Sequence, residues 1–538
     1  MKTTLLRTLL LQTIALCFIA LTMITCAKQG TITGGPMDSI PPVFVKADPP
    51  NYTTNFDGDE IRIYFDEYIK LKEYQKQLIV SPPLENTLIS PQGSASKYIS
   101  IEIKDTLQPN TTYVFNFGQS VVDNNEENPY SYFKYIMSTG DYIDSLTVRG
   151  EIKDALLRVP DNFVTVMLYE ADSTYSDSIV YKDRPRYVTN TLDSLTTFEI
   201  SNLKEGRYKL VAMKDEDANF TFQSKKDKIG FLEGYIDVPT DTSYVLTLFK
   251  EETVLKTSRP RHAAKQRLTV GYDGNADSLN IKVLSSVPDG FESLITERKA
   301  DTLNFWYKPN VVTDSLWLEM RGKNYIDTTI AKLRNLKPDS LSFNRESKGT
   351  LILNSPFKVT TSIPITAIND SLISIKGDSI AVPFTTDINL RKSSFDIKFE
   401  TKELTSYQLT ILPNALQDYF GATNDTLRYA TKTREFSDYG DIELTLVNAQ
   451  RYPFIIQLID GKGEVVKEQI ATEGNVFKFE TLNPSKYFIR LIEDANGNGV
   501  YDPGNFLQQL QAERVIYYPK EIEVNAGWLP RETFQLKD

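Results

Sequence analysis

Apolar side chains recur at every second position over much of this chain. Ile61, Ile63 and Phe65 alternate with Arg62, Tyr64 and Asp66, and Ile99, Ile101 and Ile103 alternate with Ser100, Glu102 and Lys104. Tyr113, Phe115 and Phe117 repeat the pattern. A period of two predicts strands with one face inward and the other in water. The runs are broken by Pro-Pro, Asp-Gly and Pro-Asn turns, which is the spacing of antiparallel β-sandwiches. Later runs, Leu303-Asn304-Phe305-Trp306-Tyr307 and Leu316-Trp317-Leu318, place Trp306 and Trp317 on strands, where core packing is the expected use. No long window keeps a 3.6-residue period. Tyr68–Gln77 and Asn414–Phe420 are the segments expected to form single short helices between strands.

Composition narrows the chemistry. Phe and Tyr number 28 and 29 against 3 Trp, a bias that suits pleated, half-buried surfaces. With one His and two Cys in 538 residues, a histidine zinc site, a Ser-His-Asp triad and a disulfide framework would each draw on residues the chain barely has. A net charge of −11 argues against nucleic acid as a partner. The length suggests roughly three to five domains at about 150 residues each.

The first residues carry an export signal. Lys2 and Arg7 precede the apolar stretch Thr8–Ile24, which is short for a spanning helix and lacks a basic flank after it. The stretch ends Met23-Ile24-Thr25-Cys26, which resembles a bacterial lipobox. That resemblance implies a signal peptide over 1–25 and lipidation of Cys26. Cys17 lies in the part that would be discarded, so Cys26 would be the mature chain's single thiol, at its first position. A plain secretory peptide is the alternative. Loss of Lys2 and Arg7 takes the charge from −11 to −13, so membrane contact would rest on acyl chains alone. Residues 26–39 read as a flexible tether. They lack the acidic run that surface-exported lipoproteins of Bacteroidota-type envelopes carry, so the resemblance implies the periplasmic face of the outer membrane rather than the cell surface.

Residues 40–141 open Ile40-Pro41-Pro42, pass through Ile61-Arg62-Ile63-Tyr64-Phe65-Asp66-Glu67 and Leu107-Gln108-Pro109-Asn110-Thr111-Thr112-Tyr113, and close Ser138-Thr139-Gly140. This layout resembles the SbsA-type bacterial Ig-like domain, a spacer or adhesive module without catalytic residues. Residues 142–252, with Phe198-Glu199-Ile200 and the Gly206-Arg207-Tyr208 turn and strand, resemble the carboxypeptidase-regulatory-like, transthyretin-like sandwich. Leu203, Tyr208, Asp215, Asp217, Asn219 and Phe222 reappear as Leu482, Tyr487, Asp494, Asn496, Asn498 and Tyr501, each 279 residues later without a gap, which indicates a second copy over 438–538. Between the copies lie a basic linker over 253–267, a β-sandwich module over 268–347, and a degenerate Ig-like domain over 348–437. Tyr113 and Tyr407, and Thr139 and Thr433, are both 294 apart. The fold expected is therefore all-β: tandem Ig-like and transthyretin-like β-sandwiches after a lipoprotein signal peptide.

Candidate chemistry is sparse. Asp494, Asn496, Asn498, the Val500 carbonyl and Asp502 have the spacing of a calcium loop, with Gly499 at the sixth position but Asn505 at the twelfth. The competing reading is a turn whose Asn and Asp side chains accept backbone hydrogen bonds. Weak Ca²⁺ binding is one expectation, and no cofactor is required. The strip Lys256–Arg267, with Arg259, Arg261, Lys265, Arg267 and His262, reads either as a docking patch or as a solvated linker in which Pro260 and Ala263-Ala264 break any strand. Trp306, Trp317 and Trp528 could stack on sugars. No nucleophile-elbow, P-loop or zinc-helix pattern occurs, and 71 acidic residues make carboxylate pairs uninformative. The expectation is a non-catalytic cell-envelope lipoprotein, held to the membrane by its N-terminal lipid, with a structural or protein-interaction role. The alternatives are a glycan-binding lipoprotein of an adhesion or uptake system and a hydrolase accessory subunit.

Overall fold

The computed structural model describes residues 38–191, 195–346 and 349–536. Their alternating apolar positions form strands throughout, and the strands gather into five successive stretches of facing sheets. In the first, strands Phe44–Asp48, Glu60–Leu71, Ser96–Ile103 and Thr87–Ser90 lie side by side in that order, and Val121–Asp123 joins the end of Glu60–Leu71. The opposing sheet is Ile79–Ser81, Thr112–Asn116 and Lys134–Ser138. Ile61, Ile63, Phe65, Ile99, Ile101, Tyr113, Phe115 and Phe117 meet between them, so the inward parity expected of these residues holds. The outward parity does not hold everywhere. Thr112 and Val114 are buried as well, because the second stretch packs on that sheet. Val188 N–H donates to Ser81 Oγ at 3.0 Å, and Thr112 Oγ1 donates to the Asp144 carboxylate at 2.8 Å.

The second stretch has one sheet in the order Tyr187–Asn190, Thr165–Glu170, Gly206–Lys214, Lys228–Phe231, with Ile236–Val238 also on Gly206–Lys214. Its second sheet is Thr197–Leu203, Leu146–Asp154, Ser243–Leu248, the last pair parallel. Residues 440–535 repeat this order strand for strand: Val465–Ala471, Phe454–Ile459, Ser485–Glu493, Val515–Tyr517, with Ile522–Val524 also on Ser485–Glu493. They face Val476–Leu482, Gly440–Val447 and Arg531–Gln535, again with a parallel last pair. The fourth stretch, 343–432, follows the strand order of the first, with an added edge strand Ile380–Ala381 and with Ile365–Ile368 and Leu416–Asp418 paired separately. Phe343–Arg345, Phe357–Thr361, Ser394–Phe399 and Phe384–Asn389 stand for its first sheet, and Ile373–Gly377, Ser406–Ile411 and Leu427–Lys432 for its second.

The third stretch, 256–332, corrects the expectation of a strand-free basic linker. Lys256–Thr257 and Arg261–Ala264 are both strands on Arg267–Asp273. Pro260 falls in the gap between them, where no ladder N–H is needed, and the alanines are small enough to sit on an edge. Trp306 is 1% exposed, but Trp317 is 51% exposed, against the expectation of core packing for both. Parity decides it: Leu316 and Leu318 take the inward face of strand Ser315–Gly322, so Trp317 must take the other. Of the two expected short helices, part of the first forms and the second contains a strand instead. Ile69 and Leu71 pair with Asp123 and Val121, which leaves a helix of Tyr74–Gln77 alone, and Leu416–Asp418 pairs with Ile365–Ile368.

The stretches do not form a simple string. A second core lies on the outer face of the larger sheet of 146–248, where Met167, Tyr169, Val211, Met213, Phe231 and Phe249 enclose Phe506 from the last stretch. The C-terminal sandwich thus folds back onto the second one.

Candidate functional site

The Asp494 loop leaves strand Ser485–Glu493, whose inward Tyr487, Ile489 and Leu491 fix its direction. Asp494 is 2% exposed. Its carboxylate accepts Asn498 N–H at 3.1 Å on Oδ1 and Gly499 N–H at 2.8 Å on Oδ2. Asn496 Oδ1 accepts Asn498 N–H at 3.0 Å, and Asn498 Oδ1 accepts Val500 N–H at 2.8 Å. The Asn496 and Asn498 amides both donate to Asp502 Oδ2. Gly497 and Gly499 have φ of 70° and 77°, which side chains disfavour. The side-chain oxygens of Asp494, Asn496, Asn498 and Asp502 are therefore brought together, each accepting N–H groups of the loop itself.

Glu513 closes the loop and was not legible in the spacing. It accepts Ala495 N–H at 2.8 Å and Asp502 N–H at 3.0 Å, and burial pushes its carboxyl up against the pull of those two donors. The companion loop is also a turn: Asp215 accepts Phe220 N–H at 2.7 Å, Asp227 accepts Glu216 and Gln223 N–H, and Lys226 pairs with Asp217. Burial pushes the Asp215 carboxyl up. Among the described residues no group of three or more His, Cys, Asp and Glu is placed to hold a metal. Carboxylates at other corners have the same occupation. Asp123 accepts N–H groups from Asn125, Glu126, Glu127 and Asn128, and Asp418 accepts those of Phe420 and Ala422.

The remaining candidates are dispersed. His262 is half-buried: Nδ1 accepts Arg334 N–H at 2.9 Å, and Nε2 lies 3.4 Å from the Tyr307 hydroxyl. Arg267 makes a two-pronged ion pair with Asp339 at 2.7 and 2.8 Å and lies over the Trp306 ring. Trp528 is 59% exposed. Cys26 lies outside the described residues.

The densest polar constellation sits where the second and fifth stretches meet. Phe506 is fully buried, its N–H donating to Glu251 Oε1 at 2.6 Å. Burial raises the Glu251 carboxyl, and that N–H opposes the rise. Lys209 Nζ donates to Leu232 O and Gln509 Oε1, both at 2.9 Å, and faces the Phe231 and Phe506 rings. Burial lowers the Lys209 amine. Gln509 Nε2 donates to Asp177 at 3.0 Å, and Gln511 Nε2 donates to Phe231 O at 3.0 Å. Arg490 Nη1 donates to Leu156 O at 2.9 Å, and Tyr517 OH donates to the same oxygen. Beside this seam opens a cleft of about 570 Å³ lined by Lys153, Phe231, Val245, Thr247, Gln511 and Val515. The contacts bind two sandwiches together.

Residues 38–137 match the family model described as a bacterial Ig-like domain, in agreement with the layout read from the sequence. No curated protein matches the chain. Among solved structures, the major pilin subunit of Bacillus cereus is 10% identical, over 73% of this chain and 99% of that one, with a TM-score of 0.14. Domains 1–6 of the surface layer protein SbsC are 9% identical, over 90% and 67%, with a TM-score of 0.15. Domains A168–A170 of titin are 11% identical, over 52% and 98%, with a TM-score of 0.14. At these scores the likenesses carry nothing beyond themselves.

Proposed function

We propose that the chain is a non-catalytic lipoprotein of the cell envelope, anchored by acyl chains on Cys26 at the periplasmic face of the outer membrane, with a structural or protein-interaction role. Its units are proposed to be two Ig-like and two transthyretin-like sandwiches with one further β-module. The observation that carries the reading is the seam around Phe506. Buried side chains that could have served chemistry, Lys209, Glu251 and Arg490, are instead bonded across the junction of two sandwiches. An arrangement that invests its buried charges in holding modules together suits a scaffold. Labelled palmitate is expected in the wild-type protein and not in Cys26→Ala; equal labelling would overturn the anchor. Partners co-purifying with the anchored protein from detergent-solubilised envelopes, without saturable binding on a glycan array, support the scaffold role.

One observation favours glycan binding as the second reading. Trp317 and Trp528 are exposed, and the Tyr64 and Tyr98 rings lie 5.6 Å apart on the outward face of the first sheet. Saturable binding on the same array, lost in Trp317→Ala, would promote it. Any calcium at the Asp494 loop would be held by Asp494 and Asp502 with the Asn496 and Asn498 oxygens and the Val500 carbonyl. With two carboxylates its affinity would be weak, on the order of millimolar.

A further inference from the structure

The basic strip of the third stretch is built from two segments that the fold lays together. Strand Arg261–Ala264 is an edge of one sheet of that stretch, and strand Tyr325–Lys332 is an edge of the other. Three bonds hold the first against the second and the residues that follow it. Arg259 Nε donates to Ile330 O at 3.2 Å, His262 Nδ1 accepts Arg334 N–H at 2.9 Å, and Lys265 N–H donates to Lys337 O at 3.1 Å. The two segments therefore run side by side in the same direction, and the chain's single histidine helps to join them.

This juxtaposition gathers charge. Arg259, Arg261 and Lys265 stand on one segment and Lys332, Arg334 and Lys337 on the other, and all of them are exposed. Among the described residues none of these cations takes part in an ion pair, whereas Arg267, the next along, is held by Asp339. Asp314, whose carbonyl accepts Leu333 N–H at 2.8 Å, brings an exposed carboxylate to the strip, which leaves a large positive excess. The chain as a whole has a net charge of −11, so the strip runs against its surroundings. Like charges gathered on one edge repel one another, and an anionic occupant gains from all of them.

Its surroundings narrow the kind of anion. No large apolar or aromatic side chain is exposed within 259–265 or 332–337, so the strip has no ring for a base or a sugar to stack on and nothing to insert into a bilayer. Its extent narrows the occupant further. Residues 259–265 span at most about 20 Å, and the remainder of the chain is net acidic. An anionic bilayer or a long polyanion would lie over that acidic surface as well, within a Debye length of about 8 Å, and be repelled by it. A short acidic stretch of polypeptide meets the strip alone. The forked guanidinium groups of Arg261 and Arg334 suit its carboxylates, which each fork can bind through two parallel hydrogen bonds.

We infer that this strip docks an acidic segment of a partner polypeptide. The inference deepens the interaction role proposed above and rests on it, while the Cys26 labelling is indifferent to it. The probe is a labelled, capped peptide of about seven residues, matched to the length of the strip, in which Glu alternates with Ser. It is titrated with the full chain in nonionic detergent and read by fluorescence polarisation. Saturable binding is expected, fading as ionic strength rises, and absent from the same peptide with Gln in place of Glu. Arg261→Glu with Lys265→Glu, and separately Arg334→Glu with Lys337→Glu, should each weaken it by roughly tenfold or more. The melting temperature should not move, because these side chains make no bond among the described residues. Lys104→Glu with Lys520→Glu changes the net charge equally, on exposed residues of the first and fifth stretches, and should leave binding intact. No saturable binding, an equal loss in that remote variant, or tighter binding of phosphatidylglycerol vesicles or polygalacturonate than of the peptide would overturn the inference. Partners that still co-purify with both strip variants would overturn it too, and leave the interaction role standing.

Discussion

The Tyr407 hydroxyl accepts the backbone N–H of Lys402 at 2.6 Å, and 294 residues earlier the Tyr113 hydroxyl accepts that of Gln108 at 2.9 Å. The surrounding bonds repeat as well. Thr433 Oγ1 accepts Thr405 N–H and donates to Lys402 O, as Thr139 Oγ1 accepts Thr111 N–H and donates to Gln108 O. Each corner pins the loop entering its strand to the strand that closes the sheet. Tyr407→Phe and Tyr113→Phe should each leave an N–H unpaired and cost about 1–3 kcal/mol locally. Hydrogen exchange is the suitable readout, because a chain of several units does not unfold in one step. Faster exchange confined to the altered corner is expected; protection unchanged there would count against it.

Asp123 gives a pH dependence with a definite sign. Burial raises its carboxyl, but the N–H groups of Asn128, Glu126, Asn125 and Glu127 outweigh that and hold it below the ordinary carboxylate range. A depressed folded value means that the stabilisation is present above the unfolded value, near 3.9, and is lost as pH falls through the folded one. Asp123→Asn should therefore lower the melting temperature of the first sandwich at neutral pH, and the gap to wild type should narrow below about pH 4. A gap that is the same at both pH values would contradict this.

Phe506→Ala should loosen the seam. Truncating a fully buried aromatic costs about 3–5 kcal/mol, drawn here from contacts between two sandwiches rather than from within one. Faster proteolysis of the 494–514 loop and a larger radius of gyration by solution scattering are expected, with strand content unchanged by circular dichroism.

Asp494→Ala should free the N–H groups of Asn498 and Gly499 and speed exchange across the loop in the presence of a chelator. Because those bonds need no metal, the wild-type loop should be protected before any calcium is added. A loop that becomes protected only in about millimolar Ca²⁺ would establish the ion as the organiser instead.

Strand parity made much of the fold legible. Ile61, Ile63, Phe65, Ile99 and Ile101 announce both their strands and their inward face, because a period of two admits no other regular element. The same rule, carried one step further, would have put Trp317 outside, since Leu316 and Leu318 cannot face inward unless Trp317 faces out. Arg261–Ala264 was hidden because an edge strand needs little side-chain packing, so its composition resembles a linker. The Phe506 seam and the role of Glu513 left no trace in spacing. Phe231 and Phe506 are 275 positions apart, and neither the run around Leu507 nor that around Phe231 has a period that demands the other. What could be read at the Asp494 loop was which residues assemble, while the direction of each oxygen depended on backbone geometry.

The parallel pairing of first with last strand in residues 146–248 and again in 440–535 bears on mechanics. Leu146–Asp154 runs alongside Ser243–Leu248 over six paired positions, and Gly440–Val447 alongside Arg531–Gln535 over five. Tension entering at the start of such a unit and leaving at its end pulls the two strands lengthwise past each other. All rungs then resist together in shear, where an antiparallel hairpin pulled from its open end would peel one rung at a time. Each of these two sandwiches is clasped by its own termini, and tension across one of them tests the clasp before it reaches the core.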